Sequence, residues 1–121
     1  MSMSNIFLQR YMIADGESEE ISVEIDRPVR VAEMEYTCEF RIKKDASVLV
    51  ASYAVGADEV QAVMIVFEAI RDSLKSNLPA ATWYGLPIDI AFPRTIPYAA
   101  GVETYREIEE AVDEMLRARF G

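Results

Sequence analysis

Glu33-Met34-Glu35-Tyr36-Thr37-Cys38-Glu39-Phe40-Arg41-Ile42-Lys43 alternates between polar and apolar side chains over its whole length. In an extended chain successive side chains point to opposite faces, so Met34, Tyr36, Cys38, Phe40 and Ile42 share one face and the charged residues the other. This is the pattern of an antiparallel strand with one face on a core and one in water. It makes the chain a sheet protein.

Upstream, residues 5–14 are rich in β-formers and stop at Asp15-Gly16, a turn signal. Ile21, Val23 and Ile25 then alternate with Ser22, Glu24 and Asp26, giving a second strand interrupted at Pro28, where an edge or bulge is expected. Downstream, the turn Lys44-Asp45-Ala46 leads into residues 47–55, whose nearly continuous apolar character predicts a strand with neighbours on both sides.

Gly56 ends that strand, and Asp58 with Gln61 three residues later forms a capping box, which satisfies free backbone donors at a helix start. Val60, Val63, Met64, Phe67, Ile70 and Leu74 follow at helical spacing, with Ala62, Ile65, Val66 and Ala69 widening the apolar arc, and the helix ends near Asn77, before Pro79. Ile88, Ile90 and Phe92 alternate and predict a short strand. A last helix is expected from a second capping box, Thr104 with Glu107, and from the stripe Tyr105, Ile108, Val112, Met115 and Leu116. The expected fold is α+β: a four-stranded antiparallel sheet with a possible short fifth strand and two helices packed on one face, in the order β-β-β-β-α-(β)-α, as a single domain over residues 1–121.

The chain has 121 residues, one cysteine and no histidine. Cys/His zinc sites and Ser-His-Asp or Cys-His catalysis therefore lack an essential group. Walker-type phosphate loops, glycine-rich dinucleotide turns, HExxH helices and EF-hand loops are missing from the sequence. No cofactor and no enzymatic activity are expected. Without a signal-like start or an apolar run long enough for a membrane span, a cytoplasmic protein is expected.

The net charge of −9 argues against binding to nucleic acid or anionic membranes. The acid is local: residues 15–26 contribute −6 and residues 103–114 contribute −5, leaving +2 for the rest. Glu19 and Glu20 in the first stretch, and Glu107 and Glu110 in the second, are candidates for contact with a basic partner, against the alternative of solvated surface.

The strand bearing Cys38, the Gly56-x-Asp58-x-x-Gln61-Ala62 helix opening, Trp83 and Ala91-Phe92-Pro93 together resemble a widespread bacterial family of small domains of unknown function. Its pattern has a glycine where this chain has Ala91. The resemblance covers roughly residues 20–95 and implies a fold and a bacterial source but no activity.

Trp83, Tyr84, Arg94 and Tyr98 form the most distinctive loop group, since aromatics and arginine are enriched at interaction hot spots; the alternative is that Trp83 folds inward over the core. Asp58 and Gln61 offer a ligand site or simple capping, and Cys38 a reactive thiol or a buried one. Three functions fit: a non-enzymatic protein-binding module, of which an immunity protein facing a basic toxin is one version; a self-associating, homodimeric subunit; or a small-molecule binder with its pocket near Trp83.

Overall fold

The computed structural model describes residues 5–14, 19–94 and 101–121. Its strands are β1 (Ile6–Ile13), β2 (Glu20–Asp26), β3 (Val29–Ala32), β4 (Glu35–Lys44) and β5 (Ser47–Gly56), followed by helix α1 (Glu59–Asn77). Two very short strands, β6 (Thr82–Trp83) and β7 (Leu86–Pro87), precede helices α2 (Ile88–Ala91) and α3 (Val102–Phe120). The fold is α+β, an antiparallel sheet of five main strands followed by helices.

β4 is the hub of the sheet. It pairs antiparallel with β5, and with both β2 and β3. Pro28 splits the second strand of the sequence reading into β2 and β3, because proline cannot donate to the ladder. β1 pairs with β2, and β6 joins β1 through Ile13 and Thr82.

Cys38, Phe40 and Ile42 on β4 and Ile21, Val23 and Ile25 on β2 are buried on one face, as the alternation predicts. Helix α1 covers that face over β4 and β5, burying Ala62, Val66, Ile70 and Leu74, which recur every four residues. Val66, Ile70 and Leu74 each contribute roughly 1.5–3 kcal/mol of burial.

Four expectations change. Met34 is not in the strand but in the turn before it, at φ 56° and 73% exposed, so the inward row begins at Tyr36. The segment of Ile88, Ile90 and Phe92 is not a strand: Ile88, Ala91 and Phe92 are buried while Ile90 is exposed, a spacing of three and four residues that belongs to a helical turn. β5 has only β4 as a strand neighbour among the described residues. Its apolar residues serve two faces at an edge, Ala54 turning inward to α1 while Val48, Tyr53 and Val55 stay exposed outside.

The last change concerns α3, which buries none of its residues, whereas α1 packs on the sheet. It starts at Val102 after Gly101, with no side-chain cap, so Thr104 and Glu107 already lie inside the helix. No helix among the described residues is long and apolar enough to cross a membrane.

Candidate functional site

Glu24 and Asp26 of β2 point to the face opposite the core, yet both are buried. Arg41 on β4 explains this. Its Nη1 and Nη2 donate to the two oxygens of Asp26 at 3.0 and 2.8 Å, and its Nε donates to Glu24 Oε1 at 3.1 Å. Lys43 Nζ adds a contact to the same Glu24 oxygen at 3.2 Å. Burial pushes the Glu24 carboxyl up, but the hydrogen bonds from Arg41 and Lys43 outweigh it and the net shift is downward. The same carboxylates hold the Arg41 guanidinium more firmly protonated.

Two acids of the stretch before Arg27, Glu24 and Asp26, are thus paired inside the fold. Glu19 contacts Lys44 Nζ at 2.8 Å, and Glu20 is exposed, its backbone N–H donating to Asp45 Oδ1 at 3.3 Å. Residues 15–18, the tip of that stretch, lie outside the described residues.

On the core side, Arg10 of β1 faces inward among apolar neighbours. It donates to the Ala91 carbonyl oxygen at 2.5 Å and lays its guanidinium 4.0 Å above the Trp83 ring, with Phe92 at 5.5 Å. Cation–π contact and a charge-assisted hydrogen bond satisfy a cation that apolar surroundings alone could not. Trp83 therefore folds inward, half-buried. Tyr84 beside it is 89% exposed at φ 51°, followed by Gly85 at φ 78° in the tight turn between β6 and β7. Ala91 sits in α2 with ordinary helical geometry, so the position needs no glycine conformation.

Beside Arg10 a cleft of about 330 Å³ opens between β1, β2 and α1. Leu8, Val23, Ile25, Phe67 and Phe92 form its apolar walls, and Arg94 lies exposed at its mouth. Arg71 of α1 fixes the far wall, donating to Phe92 O at 3.3 Å and to Asp89 Oδ1 at 2.7 Å. Trp83 and Tyr84 are in ring contact, and Arg10, which lies over Trp83, lines the cleft together with Arg94; Tyr98 lies outside the described residues. Arg10 was missed in the sequence because a lone arginine in a strand carries no pattern; only its register opposite Val23 turns it inward.

Asp58 and Gln61 are capping residues. Asp58 Oδ1 accepts from the Gln61 backbone N–H at 2.8 Å, and Gln61 Oε1 accepts from the Ala57 N–H at 2.6 Å. Cys38 is buried, its thiol 3.4 Å from the Asp26 carbonyl oxygen, and burial, then the charges of Asp26 and Glu39, push its pKa up to about 11. Among the described residues no group of three or more carboxylate or thiol side chains is placed to hold a metal ion.

Helix α3 presents a different surface. At about 100° per residue, Val102, Tyr105, Ile108, Val112, Met115, Leu116 and Phe120 form one stripe, and Glu103, Glu107, Glu110 and Glu114 lie on the opposite side. Asp113 borders the stripe, and Glu109 and Arg119 fall within its arc. Apart from the half-buried Tyr105, all of its large apolar residues are exposed, from Ile108 at 38% to Phe120 at 82%.

Residues 8–93 match the model of a family described as a domain of unknown function (DUF6968), a match that takes in the sheet from Leu8 on, α1 and the cleft lining apart from Arg94, and stops short of α3. No curated protein and no solved structure matches the chain.

Proposed function

Because the chain belongs to the DUF6968 family, whose function is unknown, its role has to be read from its own surfaces, and we propose a non-enzymatic protein-binding module with α3 as its contact element. One observation carries this reading: α3 carries an apolar stripe along one side and buries none of its residues. A helix of that kind is stabilised by docking its apolar face into a groove, not by its intrinsic propensity.

The fitting partner has an apolar groove with a basic rim. Asp113 would meet that rim, and the outer acids Glu107 and Glu110 would add long-range attraction that speeds association. An immunity protein that neutralises a basic toxin is one form of such a module. The test is affinity capture from the source organism with the full chain, then titration of the purified captured protein against wild type and Val112→Asp across a salt series. Binding that weakens with the substitution and with salt supports the reading; binding indifferent to both overturns it.

A second reading, a small-molecule site, is favoured by the cleft beside Arg10. Its volume is at the lower end for ligand pockets, and apolar walls with Arg94 at the mouth fit a small amphipathic carboxylate. A panel of aliphatic and aromatic carboxylates at millimolar concentration should raise the melting temperature; a flat response counts against the site.

A further inference from the structure

The sequence of β5, Ser-Val-Leu-Val-Ala-Ser-Tyr-Ala-Val-Gly, holds no charged residue and no proline. That is the composition of a strand with a neighbour on each side, yet β5 pairs only with β4 among the described residues. Natural edge strands are kept from pairing by lysines, prolines, short length or a bulge. Here one device is present, a bulge at Leu49, and it leaves Val50–Gly56 in regular register with Tyr36–Ile42.

We propose that β5 pairs antiparallel with β5 of a second copy across a two-fold axis at Tyr53, joining two sheets into one. Three features select a second copy as the occupant. An antiparallel edge is complementary to itself under two-fold rotation, so one strand supplies both sides of the seam. The chain carries −9, and like-charged copies meet most cheaply along a segment without charge.

Size is the third feature. The regular stretch is about 24 Å long and, with the helix layer behind it, about 20 Å deep, so the seam covers roughly 500 Å² per copy, about where a biological interface begins. Ile65, about 160° around α1 from the cleft-facing Phe67, leans toward this edge and is 40% exposed. Tyr53, the midpoint of the regular stretch, is 62% exposed and would face its own copy as a cross-strand aromatic pair. The β5 seam does not involve α3, and a dimer would present two copies of that helix to a partner.

The experiment uses the full chain in sedimentation velocity over a concentration series, with two sets of substitutions. Tyr53→Lys is compatible with the monomer, because position 53 lies opposite Glu39 on β4. Across the seam it sets two ammonium groups against each other and should raise the dimer dissociation constant about tenfold or more, while Tyr53→Phe should change it little. Cys38 is the single native cysteine and is buried. Tyr53→Cys should therefore give a disulfide-linked dimer on mild oxidation. Val48→Cys should not, since two-fold pairing at position 53 holds the two copies of residue 48 about 34 Å apart. A monomer at every concentration overturns the proposal. So does a dimer unaffected by Tyr53→Lys, or one that cross-links as readily through position 48 as through 53.

Discussion

The backbone of Ala62 lies where a side chain on Gly56 would stand: a Cβ built on Gly56 comes within 2.4 Å of the Ala62 nitrogen and 2.8 Å of its Cα. The first turn of α1 therefore rests directly on the end of β5. With Asp58 and Gln61 as caps and Ala62 fully buried, each fixed residue of the Gly-x-Asp-x-x-Gln-Ala motif has a structural task. Gly56→Ala should force α1 away from the sheet and cost about 3 kcal/mol, the upper range for overpacking, because backbone atoms cannot rotate aside. Chemical denaturation would show this as a lower midpoint at unchanged slope.

Arg41→Met should leave Glu24 and Asp26 without their shared partner. The expected loss is about 2 kcal/mol, below that of a fully buried pair because water still reaches part of the arginine.

The pH dependence follows from the sign of the Glu24 shift. Its carboxyl is held below the ordinary value of 4.5 in the folded chain, so its contribution is complete above that pH and is lost as pH falls through the lower folded value. The stability gap between wild type and Glu24→Gln should narrow on acidification below about pH 4.5, as measured by urea denaturation at a series of pH values. A gap independent of pH would mean that Glu24 is not ion-paired.

Arg10→Met keeps the length of the side chain but removes both the contact with Trp83 and the hydrogen bond to Ala91. A loss of about 2 kcal/mol is expected. Trp83 is the only tryptophan, so its fluorescence should shift to longer wavelength as the ring loosens into water.

Cys38 should react with thiol reagents only at the rate at which the chain opens, since the thiol is buried and its pKa lies near 11. The raised value also means that the stability contributed by the neutral thiol is complete below about pH 9 and lost as pH rises toward 11. Rapid labelling of the native protein at neutral pH would contradict this burial.

Period-two alternation made β2 and β4 legible, and apolar spacing with an acidic cap made α1 legible. The short pieces were not, for local reasons. Ile88, Ile90 and Phe92 fit a strand template over too few residues to separate it from one helical turn. The β6–β7 turn places Tyr84 at positive φ, where asparagine or aspartate would have signalled it. The edge position of β5 was hidden because its composition is that of an interior strand. A pocket near Trp83 is one of the sequence expectations, but the lining of the cleft could not be named, because its walls come from β1, β2, α1 and the segment around the end of α2, brought together only by the fold.

A protein-binding role requires that α3 be uncovered by its own chain, and amide hydrogen exchange on the dilute 121-residue chain tests this most directly. A helix of 19 residues without tertiary cover is marginal in water, so α3 amides should exchange orders of magnitude faster than those of α1 and β4. Protection of α3 equal to that of α1 would mean that its apolar stripe is already buried within the chain, and that no partner is needed to cover it.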